Sequence, residues 1–331
     1  MKINAAIIGS GVGLRHFEAI ENYRGSNVKI ICEFNKSKII FLKKKFPKIK
    51  ITSNFNNVIK DKSINLLSIA SYDQYHYSQI IEGIKNKKNL IIEKPMCLKI
   101  EELKKIHKTL KKNKNVKIIS NLVLRTEPIF QYIKKNIDKN NLFYIEADYI
   151  WGRLHKLTNG WRTETKNYSL ILGTAIHMID LVMWFLNDKP KKVFAFGNKI
   201  LTNKTKFNKV SFATCILEFP KDIIVKITAN STNIYDHMHE VKVFQKNKTI
   251  IQSKEGLEVI TNSSNKIKKK KINLKYPLKK NRKQLIRSLI DNILKKGTPL
   301  ISLKEQFDLM SVCFALEKSL KINKKINVNY L

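Results

Sequence analysis

"NAAIIGSGVGLRHFEAIENY", residues 4–23, opens on an apolar run, breaks at Gly9, Gly11 and Gly13, and continues with helical spacing. A strand that ends in a glycine turn and opens a helix brings backbone N–H groups and a helix N-terminus together, the arrangement that binds a pyrophosphate. The spacing is G-x-G-x-G rather than G-x-G-x-x-G, so its place after a first strand carries more weight than the motif alone. One lysine precedes the run and no small-residue cleavage site follows it, so the stretch reads as a β-strand and not as a signal peptide.

Outward from this unit the pattern repeats. "NVKIICE" (27–33), "INLLSIAS" (64–71), "NLIIEKP" (89–95) and "VKIIS" (116–120) read as strands. Between them "SKIIFLKKKF" (37–46), "QYHYSQIIEGIKNK" (74–87) and "KIEELKKIHKTLKK" (99–112) read as helices. Alternating strands and helices predict βαβ units and a parallel, doubly wound sheet, and apolar runs without period-2 alternation predict strands buried on both faces. After about residue 120 the pattern changes. A helix near 127–136, the strand "LFYIEADYIWG" (142–152) and the apolar helix "SLILGTAIHMIDLVMWFL" (169–186) are followed by four strand-like runs joined by short turns. Two helices near 281–295 and 303–320 close the chain. The expected fold class is α/β, a Rossmann domain over 1–120 followed by an α+β domain over 121–331 with a mainly antiparallel sheet. The last helices are free to pack back on the first domain.

The 331 residues are 43% apolar, which suits two soluble domains, and no apolar run reaches the length of a membrane span. Four cysteines lie far apart without metal-ligand spacing, the pattern of reduced thiols in a cytoplasmic protein. The net charge of +38 comes from 64 basic residues, of which only seven are arginine. So even a lysine coat favours anionic ligands in general. The densest run, "KIKKKK" (266–271), has Tyr276 as its one nearby aromatic, where nucleic-acid readers interleave aromatics or arginine forks. Nucleic-acid binding through 266–283 stays a minor alternative.

Several residues stand where chemistry is done. Glu33 ends the second strand, where an acid accepts hydrogen bonds from a ribose 2′-hydroxyl and repels a 2′-phosphate, favouring NAD over NADP. Glu93, Lys94 and Pro95 end another parallel strand, the edge at which such sheets bind ligands. His177 and Asp180 interrupt the apolar helix three residues apart, on one face, and can pair. Arg125, Arg153 and Arg162 are conspicuous among so few arginines, and guanidinium forks suit phosphate or carboxylate. Trp161 and Trp151 can stack on a sugar ring, and Tyr168 is a candidate proton donor. His237 and His239 share a strand face, but without a third ligand no metal site is expected.

Taken in order, the G-x-G turn, the acid ending the second strand, Glu93-Lys94-Pro95, and "GWR" (160–162) before a helix with H-x-x-D form one set. It resembles the glucose–fructose oxidoreductase/inositol dehydrogenase/rhizopine-catabolism (Gfo/Idh/MocA) family over nearly the whole chain. The resemblance implies an open second sheet, a nicotinamide cofactor held between the domains, and hydride transfer to or from a sugar or polyol carbon. It makes Lys94 a contact to the substrate hydroxyl and nicotinamide ribose, and His177 the acid/base, a role that suits imidazole. It puts Gly9, Gly11, Gly13, Glu33, Ser71, His76, Glu93 and Lys94 on the cofactor. The family pattern D-x-G-x-H reads Gly173-Thr174-Ala175-Ile176-His177 here, so glycine stands where many members keep a carboxylate beside the histidine. Substrate contacts fall to Arg125, Arg153, Trp161, Arg162, Tyr168 and Asp180.

The resulting expectation is a cytoplasmic, homodimeric or homotetrameric NAD-dependent oxidoreductase. Its substrate would be a small sugar, nucleotide-linked or acidic, of surface-polysaccharide assembly, with no membrane insertion. The alternative prompted by Gly173 is a non-catalytic, cofactor-binding regulator or scaffold.

Overall fold

β1 (Ile3–Ile8) is buried along its length except at Asn4, because it lies inside a parallel sheet with neighbours on both sides. The computed structural model describes residues 2–264 and 266–331. It divides into two units, Met1–Asn121 with Arg282–Phe307, and Leu122–Asn281 with Asp308–Leu331.

In the first unit β1 is joined by β2 (Ser26–Cys32), β3 (Lys50–Thr52), β4 (Leu66–Ile69), β5 (Asn89–Ile92) and β6 (Ile118–Ser120). All are parallel, in the order β3-β2-β1-β4-β5-β6. This is the doubly wound order in which the crossover reverses beside β1, placing the glycine turn at the switch point where such sheets bind dinucleotides. All five expected strands are present, and β3 and the short helix Phe55–Ile59 are additions that their few apolar residues did not announce. The segment 282–307 supplies a helix, Lys283–Ile293, that packs on the helix Gly13–Glu21 and on β5 and β6. There Tyr23 donates a 2.5 Å hydrogen bond to Asp291. Gln306 closes the outer edge of β6, accepting from Ser120 N and donating to Ile118 O.

The second unit is built on β7 (Leu142–Ile150), β8 (Lys192–Asn198), β9 (Phe212–Glu218), β10 (Ile224–Asn230), β11 (Met238–Gln245), β12 (Lys248–Ser253), β13 (Gly256–Ser263), β14 (Lys266–Ile272) and β15 (Ile326–Asn327). Their order is β14-β13-β12-β11-β7-β10-β9-β8-β15, antiparallel throughout except for the parallel pair β7–β10. Burial alternates residue by residue along β7, β9, β10 and β11, so one face is core and the other is only half covered. The core face carries the apolar helix Ile176–Leu186, which packs on β7 and β10, and Ser319 of the helix Leu303–Ile322 accepts from Ala195 N. The half-covered face carries the Tyr144–Phe244 ring stack and the ion pairs of Glu146 with Lys226 and Lys242.

The lysine run is a strand. β14 is the exposed edge of the sheet and pairs with β13 alone, and charged edge strands resist pairing with foreign strands. The four cysteines are free and buried. Among the described residues no helix is long and apolar enough to cross a membrane.

Candidate active site

The three glycines of the first turn do three different things. Gly9 has φ +87°, and a Cβ there would stand 2.5 Å from the carbonyl oxygen of Ala70, so the tight turn excludes any side chain. Gly11 has nothing within 4 Å of its missing Cβ, which leaves its backbone open to a ligand. A Cβ on Gly13 would meet Ile7 Cγ2 at 2.7 Å, so this glycine lets the helix Gly13–Glu21 sit close on β1. Turn, approach and packing are the three tasks of a dinucleotide-binding glycine loop. These residues fit NAD.

Glu33 is buried and braces that loop. Its carboxylate accepts from Ser10 N at 2.9 Å and Ser10 Oγ at 2.5 Å, and from Phe34 N and Asn35 N on its other oxygen. Burial pushes its carboxyl up, but these hydrogen bonds and the charge of Lys38 outweigh burial and hold it below its ordinary value. It is an anion at neutral pH, and with two hydrogen bonds accepted on each oxygen its four lone-pair positions are already engaged by the loop.

At the far ends of β4, β5 and β6 lies a buried network that sequence reasoning did not find. His16 is hydrogen-bonded to Ser68 Oγ at 2.8 Å and to Glu93 Oε1 at 3.0 Å, and Asn121 donates to the same Glu93 oxygen at 2.6 Å. Burial raises the Glu93 carboxyl, but His16, Asn121 and the neighbouring Lys94 together bring it below its usual range. Glu93 thus ties β5 to the first helix and β6, and fixes the backbone from which Lys94 extends. His76, fully buried, spans the carbonyl oxygens of Pro95 at 2.7 Å and Ser71 at 3.1 Å, so it orders both turns rather than standing in open space. Ser71 Oγ donates to Gln79.

In the second unit the helix with His177 is entered through a π-helical turn, Ile171–Ala175. Nine of the eleven residues of Ile176–Leu186 are buried, and His177 and Trp184 are the two that keep partial exposure. A π turn shifts the facing of the residues after it and is common at functional sites. Gly173 lies inside this turn because Tyr168 needs the space. A Cβ at 173 would stand 2.7 Å from Tyr168 Cζ, and its hydroxyl would be nearer still. The phenol therefore occupies the place of a side chain one turn before His177.

Around His177 gather Tyr149 of β7, at 6.0 Å between ring centroids, and His239 of β11, at 6.3 Å. Tyr149 and His239 lie 4.2 Å apart, His239 Nδ1 shares a 2.5 Å hydrogen bond with the Tyr276 hydroxyl, and Tyr149 is bonded to the exposed His237 at 3.1 Å. Tyr149 was not picked out from sequence, since its approach to His239 depends on the pairing of β7 with β11. Among the described residues no group of His, Cys, Asp or Glu has the arrangement of a metal site.

Asp180 is on the buried side of the helix and holds Arg125 through both carboxylate oxygens, at 2.7, 3.0 and 3.2 Å. Both side chains are almost wholly buried, so the arrangement is an internal, bidentate ion pair. Arg162 lies over Trp161, 4.4 Å from guanidinium carbon to ring centroid, and near Trp151 and Tyr168. Arg153 bonds His237 at 3.4 Å.

Residues 3–121 match the model of the Gfo/Idh/MocA oxidoreductase family, described as an NAD-binding Rossmann fold, and residues 130–251 match that family's C-terminal domain. The chain belongs to the Gfo/Idh/MocA family. As a member it is an NAD-dependent oxidoreductase. A myo-inositol 2-dehydrogenase from Thermotoga maritima is 20% identical over 248 residues, 72% of this chain and 71% of its own length. Two solved structures share the fold. The myo-inositol 2-dehydrogenase of Lactobacillus plantarum has a TM-score of 0.84 at 17% identity, covering 99% of this chain and all of its own. The scyllo-inositol dehydrogenase of Lactobacillus casei, solved with NAD(H) and scyllo-inositol, has a TM-score of 0.81 at 17% identity over 99% of each chain.

Proposed function

We propose that this Gfo/Idh/MocA member oxidises a ring hydroxyl of a sugar or cyclic polyol, or reduces the matching ketone, with His177 as acid/base. The observation that carries this reading is His177 itself, a partly exposed imidazole on a helix otherwise buried, set just after a π turn and beside a tyrosine–histidine cluster. NAD, when bound, supplies the hydride acceptor. His177 takes the hydroxyl proton as the C–H bond breaks, and Lys94 holds the substrate oxygen and the nicotinamide ribose. Gly9, Gly11, Gly13, Glu33, Ser71, His76 and Glu93 form or brace the cofactor side, and Glu33 favours NAD over NADP. Residues 1–120, with the helix Lys283–Ile293 packed back on them, serve as the cofactor domain, and the rest of 121–331 as the substrate and oligomerisation domain.

For the substrate, Arg153, Trp161, Arg162 and Tyr168 favour a nucleotide-linked or acidic sugar of the kind used in surface-polysaccharide assembly, with Arg125–Asp180 supporting them from within. The named activities of the inositol dehydrogenases make neutral cyclitols the first compounds to compare. The half-covered face of the second sheet, with Tyr144 and Phe244, favours a homodimer or homotetramer, and the buried free thiols favour the cytoplasm. Gly173 keeps a second reading in view, a cofactor-binding regulator. Absorbance in the NADH band after mixing enzyme, NAD and each of a panel of cyclitols, uronates and nucleotide-sugars separates them: formation of NADH supports the enzyme, and bound NAD that no compound reduces supports the regulator.

A further inference from the structure

Between Trp151 and Tyr168 the chain gathers cations without gathering acids. The Arg162 guanidinium lies over the rings of Trp161, Trp151 and Tyr168, at 4.4, 5.6 and 5.7 Å from its carbon to the ring centroids. Cation–π contacts of this kind hold the group in place without using its hydrogen-bond donors, which are left to be met by something else. Its Nε is buried with no hydrogen-bond partner among the described residues. A buried donor left unmet on a charged group is costly. The contrast with Arg125 is sharp, since that guanidinium is met by both oxygens of Asp180.

Two more cations share the neighbourhood. Burial, then the charges of Arg153 and Arg162, hold the Lys156 ammonium below its ordinary value, so Lys156 lies within reach of both guanidinium charges. Arg153 donates to an imidazole, His237, and among the described residues none of the three is ion-paired with a carboxylate. Glu164, the one acid of this segment, is exposed. Positive charges gathered without a carboxylate partner repel one another unless an anion joins them.

We infer that Arg153, Lys156 and Arg162 form a subsite for an oxyanion carried by the substrate, a phosphate or a carboxylate, with Arg162 as its fork. The position follows from Tyr168, whose ring lies against Arg162 and whose hydroxyl end fills the space at Gly173, one turn before His177. An anion bound at Arg162 anchors the molecule along the side of the helix that carries His177. The subsite rests on the proposed dehydrogenase reading in one respect, that anion and reacting hydroxyl belong to one substrate.

Calorimetric titration of the NAD-loaded full chain with UDP-glucuronate, UDP-glucose, glucuronate and myo-inositol tests this. At low salt at least one anionic compound binds about tenfold or more tighter than myo-inositol, R162M removes about tenfold or more of that affinity, and K156M, at an exposed position, removes several-fold. Sensitivity with UDP-glucose alone identifies a phosphate as the anion, and sensitivity with glucuronate alone a carboxylate. The proposal is overturned if no anionic compound exceeds myo-inositol, or if both variants bind the anions as the wild type does. NADH formation in the same samples keeps the two readings apart. Arg162-dependent anion binding without NADH from any compound contradicts the dehydrogenase alone, and NADH from a neutral cyclitol with no anion preference contradicts the subsite alone.

Discussion

The phenol ring of Tyr168 fills the space into which a side chain at Gly173 would project, with Cζ 2.7 Å from the Cβ position. Alanine for glycine within a helix is ordinarily favourable by roughly 0.5–1 kcal/mol, whereas overpacking costs about 1–3 kcal/mol. G173A therefore destabilises the wild type by about 1–2 kcal/mol, but is neutral or stabilising in a Y168A background. Urea denaturation of the four corners of the cycle reads this directly. An equal effect of G173A in both backgrounds would show that the ring does not own that space.

The cofactor turn predicts a division between two neighbouring glycines. G9A meets the Ala70 carbonyl and needs a positive φ, so it lowers stability by about 1–3 kcal/mol and weakens NAD binding as well. G11A meets nothing within 4 Å. Its stability stays within about 0.5 kcal/mol of wild type while NAD affinity falls by about tenfold or more. Thermal melts with and without NAD separate the two effects.

Arg125 and Asp180, buried against each other, predict a strong asymmetry between single and paired replacement. D180N or R125M leaves a charge without its counter-ion and costs about 3–5 kcal/mol, while R125M/D180L recovers most of it because neither charge remains. Denaturation midpoints at constant m-value measure this.

Glu317 carries a pH dependence. Burial raises its carboxyl from 4.5 to about 6, against the hydrogen bond it accepts from Ser169. A folded value above the unfolded one means that the folded state holds the proton longer. Its contribution is whole below pH 4.5 and is lost as pH rises through about 6, a change of roughly 2 kcal/mol. E317Q keeps an acceptor for Ser169 but cannot ionise. It is therefore more stable than wild type by roughly 1–2 kcal/mol at pH 7.5 relative to the difference at pH 4.5, read from urea melts at the two pH values.

Much of this architecture can be read locally. The run from Ile3 to Glu21, the strands ending at Cys32 and Ile92, and β11 at Met238–Gln245 carry their own apolar pattern and their own turns. β14 hides because lysines point to both sides of an edge strand and erase any alternation. The site was legible in kind rather than in contacts. Asp180 stands three residues from His177, yet Arg125, 55 residues away, claims its carboxylate. His16, Asn121, Tyr149 and Tyr276 give no signal along the chain, since each acquires its partner only when distant strands meet. The absence of a side chain at 173 looked like a loss until the position of Tyr168 showed what fills the place.

The central claim is hydride transfer to NAD with His177 as acid/base, and single-turnover NADH absorbance with wild type and H177A tests it most directly. On the compound that wild type oxidises fastest, H177A forms NADH about 10²–10⁴-fold more slowly, with unchanged NAD affinity. Wild-type rates in H177A, with NAD bound equally well, would contradict the account.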